Sequence, residues 1–477
     1  MSIHPLEEIL HPKSIAIVGA SDRGRGGGFV TPLLELGYKG KIYPVNPKYK
    51  EIMRMKAYAR VIDIPDPVDY VISSIPATGA LELMKDCVQK GVKCVHFFTA
   101  RFSETGRKDA ADLEQEILRV AKAGGVRIIG PNCMGVYYPD EGLAFNPGMP
   151  KRSGSVGLAS QSGGAVGDIV GSSALRGIRF SKAISYGNAL DFNECDYLEY
   201  FTQDPQTTLI LMYIEGVRDG QRFVRTLKQT TLEKPVIILK GGRGEAGNRA
   251  TASHTGSMAG SRKLWQAVVD QTTVVTALDF EEMVDIALAF YFLPDDTGRN
   301  VGVIGGSGGT SVIAADICEE AGLNVIPIPQ QIRDKLKGQN NPIWDWVSNP
   351  VDFSISMGNR SDSAIMTKLM GEHPDFNLII SFMSGPGPWN IRGSGAEDID
   401  KILEDSMPDA IDKPMAIVQG SRPPGPGSGT NQMAQFQSRF QYLLSKRGIP
   451  TYPSIGRASN AINKMIGYYE KKHARKT

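Results

Sequence analysis

Histidine is scarce in this chain: 477 residues hold six. Cysteine is scarcer, with five (Cys87, Cys94, Cys133, Cys195 and Cys318) and no CxxC pair, so zinc and thioredoxin-like chemistry find no support and no metal site is expected. An odd count in a chain this long fits a reducing cytoplasm. An excess of one charge is missing too. Lys and Arg number 53 against 51 Asp and Glu, a net charge of +2, which gives no bias toward nucleic acid or a membrane surface. No apolar run approaches the roughly 20 residues of a membrane helix. MSIHPLEEIL carries acidic residues and no apolar core, so it does not read as a signal peptide.

What is abundant is glycine, 53 residues, placed where short apolar runs end. The runs at 14–21, 40–47, 68–77, 93–100 and 126–132 read as buried strands, with amphipathic helical stretches between them. Alternating strand and helix predicts an α/β protein with parallel sheets covered by helices. The length predicts several domains. The turn-rich segments 146–155 and 293–300 divide the chain into units at 1–150, 151–297 and 298–477. The second unit holds strands near 156, 209–216 and 235–242; the third holds strands near 301, 376–385 and 413–420. Pro and Gly make 421–430 a loop, and the basic tail EKKHARKT reads as a frayed end. Two stretches echo each other: GLASQSGG (157–164) and GVIGGSGG (302–309). Ser162-Gly163-Gly164 and Ser307-Gly308-Gly309 each open a helix with exposed backbone N–H groups, an anion site.

The first strand ends in a Gly-rich turn at Gly19, Ala20 and Ser21, the place for a phosphate. An NAD site would need a carboxylate after the second strand. Val45, Asn46, Pro47 and Lys48 stand there instead, and Lys48 favours a phosphorylated adenine ligand of another kind. GPNCMG (130–135) leaves Asn132 and Cys133 facing the crevice at a strand end, while Cys133 taken by itself reads as a small buried residue. Glu215 ends an apolar strand, where a carboxylate either orients an imidazole or serves as a cap or ion-pair partner. His254 stands in KGGRGEAGNRATASHTGSMAG, a stretch of small residues with Arg243, Arg249, Arg262 and Lys263 around it. It reads as a loop. Its imidazole is either solvated or a carrier of a phosphoryl dianion, stabilised if both helix starts converge on it.

These motifs together resemble the α subunit of the NDP-forming acyl-CoA synthetases, the ADP-forming acetate–CoA ligases related to succinyl-CoA synthetase. The resemblance rests on SIAIVGAS, YPVNPK, IPA, RIIGPNCMG, ASQSGGA, YIEGV, the SHTGSMAG segment and SNPVDF, and covers nearly the whole chain. It implies a Rossmann-like CoA-binding domain followed by two flavodoxin-like domains. It implies a phosphohistidine at His254, oriented by Glu215, with the two Ser-Gly-Gly helix starts as phosphate-binding elements. CoA would lie along Gly19, Ala20, Ser21 and Val45, Asn46, Pro47, Lys48, with Ile75, Pro76, Ala77 and Asn132, Cys133 nearer the pantetheine arm. The implied reaction joins acyl-CoA, phosphate and ADP to give a carboxylic acid, CoA and ATP, in either direction. No ATP-grasp domain is readable here, so the resemblance implies a separate β subunit, in an α2β2 assembly, that brings ATP or ADP with Mg2+.

One departure stands out. Relatives carry SAGF-E after the fourth strand, and this chain has TARFSE, with Arg101 in place of glycine. Trp344 and Trp346 precede SNPVD and read as core or as pocket wall. Two other functions fit part of the pattern: a non-catalytic CoA-binding regulatory protein of the same fold, and an NAD-dependent oxidoreductase, which Lys48 disfavours.

Overall fold

The structure, a computed structural model, describes residues 3–21, 28–255, 262–352, 360–382, 411–419 and 430–476. Apolar runs bounded by Gly, Pro or polar residues become strands. In the N-terminal part these are β1 (Ser14–Val18), β2 (Lys41–Val45), a small hairpin of β3 (Glu51–Ile52) and β4 (Met55–Lys56), then β5 (Tyr70–Ser73), β6 (Cys94–Phe97) and β7 (Arg127–Ile129). The main sheet runs β2-β1-β5-β6-β7, all parallel. Leu83, Met84 and Cys87 from the helix Ala80–Lys90, and Ile117 and Ala121 from Lys108–Ala123, pack with Val71, Val95 and Ile128 of the sheet. The chain order reverses between β1 and β5. Open sheets of this kind bind ligands beyond the strands' carboxyl ends at that point.

The second sheet contains β8 (Gly135–Tyr137), β9 (Val156–Ser160), β10 (Phe180–Ser185), β11 (Leu209–Ile214), β12 (Val236–Lys240) and β13 (Val275–Ala277). Its order is β13-β12-β11-β9-β10-β8. All neighbours are parallel except β8, which runs antiparallel to β10. β9 and β12 are buried along their whole length, which is why they read as unbroken apolar runs rather than alternating ones. β8 leaves the first sheet directly after the 130–133 turn. The Met134 N–H donates to Ser185 Oγ at 3.1 Å and sets the register. Both sheets belong to one compact unit, residues 1–174 and 179–283.

The other unit comprises residues 175–178 and 284–477. Its sheet is β14 (Val301–Ile304), β15 (Leu378–Phe382), β16 (Met415–Val418) and β17 (Thr451–Tyr452), parallel in that order. Val351 bridges to Ile304. Asn349 explains the SNPVD motif: its amide donates to the carbonyls of Val301 and Ile326, both at 2.8 Å, and its oxygen accepts the Val303 N–H at 2.8 Å. Trp344 and Trp346 pack, partly buried, against the core of Ile304, Ile332, Leu336 and Val347. The Lys337 ammonium lies 4.6 Å from the Trp344 ring centre. They are core residues here. The basic tail is helical rather than frayed: Ile455–Lys476 runs through it. Lys, Arg and Ala favour helix, and cations at a helix C-terminus complement its dipole. The stretch 421–429, read as a loop, lies outside the described residues. Among the described residues no helix is long and apolar enough to cross a membrane, and no side-chain cluster could hold a metal ion.

Candidate functional site

The carboxyl edge of the first sheet is built by turns that only small residues can make. Gly19 has φ +91°, and a Cβ there would lie 2.7 Å from Ser74 Oγ. The β1 and β5 exits therefore meet closely, and the Gly19 N–H donates to the Val45 carbonyl at 2.9 Å. Asn46 braces the two neighbouring turns. Its amide donates to Ala20 O at 2.8 Å and its oxygen accepts the Lys48 N–H at 3.0 Å. Ala20 and Val45 are buried, whereas Pro47 and Lys48 are exposed at the rim. The rest of the Gly-rich turn, 22–27, lies outside the described residues.

Thr99, just past β6, ties two further turns together. Its hydroxyl donates to Ile75 O at 2.7 Å, and its carbonyl accepts the Asn132 N–H at 2.9 Å. The segment 75–77 and the turn 130–133 thus flank the exit of β6. Gly130 and Asn132 both adopt positive φ, +99° and +59°. This roll turns Cys133 inward. Cys133 is the small buried residue that its own reading favoured: it is 3% exposed and the thiol lies 3.7 Å from Phe97 O. Burial pushes that thiol's pKa up. Below it, His96 Nε2–H donates to Cys133 O at 3.1 Å, and burial lowers the His96 pKa to about 4.

The exit of β6 also carries the departure from the glycine of the resembling family. Arg101 sits at φ +79°, a region that costs a non-glycine residue about 1–2 kcal/mol. A clamp holds it there. The Glu104 carboxylate accepts the N–H groups of Arg101 and Phe102 and, at 2.7 Å, the amide of Asn188. Phe102 anchors the turn in the core at 1% exposure.

Asn188 carries the contact to the second sheet. Its N–H donates to Pro131 O at 2.9 Å. A Cβ on the preceding Gly187 would lie 2.1 Å from that same carbonyl oxygen. The turns 130–132 and 187–188 are therefore in backbone contact. Arg218 closes the group. Its guanidinium donates to Asn188 O, and its N–H donates to Glu194 Oε1 at 2.6 Å. Glu194 is fully buried, and burial raises its pKa.

Glu215, at the end of β11, is 4% exposed. Gln161 fixes it: the Gln161 side-chain oxygen accepts the N–H groups of both Glu215 and Gly216, the latter at 3.0 Å. The Tyr213 hydroxyl donates to Glu215 Oε1 at 3.1 Å. From β12, the Lys240 ammonium donates to Glu215 O at 2.6 Å and to Gly241 O. Burial lowers the Lys240 pKa to about 8. Gln161, Tyr213, Lys240, Glu104 and Asn188 were missed by sequence reasoning. Gln161 sits inside the ASQSGGA motif, which was the one available signal. The others lie on separate elements that only the fold brings together.

His254 lies in the helix Glu245–Thr255, not in a loop as the glycines suggested. Ala246, Ala250 and Ala252 favour helix, and Glu245 complements its N-terminal dipole. This helix packs against the turn Ser103–Thr105. The His254 side chain and residues 256–261 lie outside what is described. Ser162 precedes the helix Gly163–Leu175, with Ala165 N donating to Ser162 Oγ at 3.4 Å. A Cβ on Gly163 would meet Met134 at 2.4 Å, so glycine is required; Gly164 is exposed. In the other unit Ser307 is the N-cap of Gly308–Glu320, Gly309 is exposed, and Asp352 Oδ2 lies 3.1 Å from a Cβ built on Gly308.

Comparison with known proteins adds an independent line. Residues 13–139 match a CoA binding domain, and residues 153–290 match a succinyl-CoA ligase like flavodoxin domain. The chain is 34% identical to the acetate–CoA ligase (ADP-forming) I subunit alpha of Pyrococcus furiosus, over 99% of this chain and 100% of that one. It is 36% identical to the II subunit alpha of the same organism, over 94% of both chains. Among solved structures it is similar to the dinucleotide-forming acetyl-coenzyme A synthetase 1 of Ca. Korarchaeum cryptofilum, in complex with phosphate and ADP. The TM-score is 0.77 at 29% identity, covering 98% of this chain and 97% of that one.

Proposed function

Because the chain belongs to the family of ADP-forming acetate–CoA ligase α subunits, we propose that it interconverts acyl-CoA, phosphate and ADP with a carboxylic acid, CoA and ATP, and that its residues run the acyl-phosphate and phosphohistidine steps. Phosphate attacks the thioester carbon and CoA leaves as the thiolate. The His254 imidazole then attacks the phosphorus of the acyl phosphate and releases the carboxylate. The phosphoramidate passes its phosphoryl group to ADP, which a separate ATP-grasp subunit would bind with Mg2+. Neutral imidazole is available near pH 7, and its phosphoramidate is labile enough to hand phosphate on.

Each part of the site has a role in this reading. CoA lies along 19–21 and 45–48, with Lys48 at the phosphate end and the turns 75–77 and 132–133 along the pantetheine arm. Cys133 contributes backbone only, since its thiol is buried. Glu215 accepts the imidazole N–H and fixes its tautomer, and the Gln161–Tyr213–Lys240 brace keeps that carboxylate in register. The helix starts at Ser162–Gly164 and at Ser307–Gly309 supply N–H groups for phosphate. The observation that carries the reading is the packing of the His254 helix on the Ser103–Thr105 turn, at the edge where CoA would end.

The test is transfer of label from γ-labelled ATP in the presence of an ATP-grasp subunit. The wild-type chain gains an acid-labile, base-stable label, and His254→Ala gains none. A label that persists in His254→Ala rejects the reading.

A further inference from the structure

Arg101 has no evident structural task. Its backbone N–H is held by Glu104, its φ of +79° is a glycine conformation, and its side chain is exposed. Among the described residues its guanidinium makes no hydrogen bond or ion pair; the Glu104 carboxylate beside it is committed to two backbone N–H groups and Asn188. A glycine would fit this turn without strain, so the turn tolerates a strained residue whose cation has no partner among the described residues. Its location narrows what the cation is for. Thr99, two residues earlier, joins segment 75–77 to turn 130–133. Immediately after Arg101, Ser103–Thr105 packs on the His254 helix. Arg101 therefore stands between the proposed coenzyme edge and the helix that carries His254, where the acyl group would emerge. The phosphate sites proposed above belong to other segments, so the anion left for Arg101 is one borne by the acyl group itself.

We propose that Arg101 is a specificity-determining residue that selects acyl groups ending in a second, distal carboxylate. A guanidinium and a carboxylate pair through two parallel hydrogen bonds. This inference rests on the acyl-CoA reading of the site.

The experiment is calorimetric titration of the purified full chain, without phosphate, with succinyl-CoA, butyryl-CoA and CoA. The two esters have the same chain length and differ in ending in carboxylate or methyl. The wild-type chain is expected to bind succinyl-CoA ten- to a hundredfold more tightly than butyryl-CoA. Arg101→Gly, which suits the turn's backbone, and Arg101→Gln, which keeps a polar side chain, both lose that preference while still binding CoA. Equal wild-type affinities for the two esters overturn the inference, as does a preference that survives in Arg101→Gly; in either case CoA binding leaves the acyl-CoA reading standing. A folded chain that binds neither ester nor CoA brings down both together.

Discussion

At the scale of the residue, the proposed chemistry rests on a few buried polar groups. Glu215 is held by three side chains from β11, β12 and the loop after β9. Glu215→Gln keeps the shape and removes the charge, so phosphohistidine formation is expected to slow by roughly a hundredfold or more, as when other imidazole-orienting carboxylates are neutralised. Gln161→Ala should reproduce much of that loss without touching the carboxylate; quench-flow labelling reads both. His96 makes a separate prediction about stability. Its folded pKa of about 4 lies below the 6.5 of an exposed imidazole because the ring is buried. Between those values the unfolded chain binds more protons than the folded one, so stability falls as pH drops from 6.5 to 4. The contribution is about 3 kcal/mol. Denaturant titrations across that window should show the slope in the wild type and a shallower one in His96→Gln. How much could be read from sequence differs between these groups. Glu215 is visible at a strand end, though its own residues allow a cap or an ion-pair partner as well as an imidazole-orienting carboxylate. The roles of Gln161 and Lys240 depend on which strands become neighbours, and no local pattern encodes that.

At the scale of the element, the strands were readable because each is a short apolar run with turn formers at its end, and a strand buried on both faces needs nothing else. Others were not, among them the β3–β4 hairpin, β10, β17, the His254 helix and β8. The His254 segment carries Gly244 and Gly247, which mask the helix preference of Ala246, Ala250 and Ala252 within Glu245–Thr255. β8 has three residues, and its membership of the second sheet is decided by pairing with β10 rather than by its own composition. The contact between turns 187–188 and 130–132 is equally silent in sequence. It can be tested with one methyl group. Gly187→Ala places a Cβ 2.1 Å from Pro131 O at φ +51°, so the two turns must part. Stability should fall by about 1–3 kcal/mol, with a parallel loss of CoA binding. Gly171→Ala, in the helix Gly163–Leu175 with open space around it, should be neutral or stabilising by up to about 1 kcal/mol. Chemical denaturation distinguishes the pair.

At the scale of the whole molecule, the reaction is expected to be divided between chains. The purified protein should bind CoA yet leave ATP untouched, and turnover should begin when an ATP-grasp subunit is added. A coupled ADP assay with and without that subunit measures this, and ATP consumption by the chain alone would contradict it. The way the first unit is stitched together has a further outcome. β8 follows the 130–133 turn at once, yet it covers the outer edge of β10. A piece trimmed to begin downstream of it would leave the β10 edge bare, inviting other molecules to pair with it. A piece cut upstream of it would tear the turn that completes the proposed coenzyme edge. A cut on either side of it costs one half its cover or the other its turn, so the two are expected to express better joined than apart.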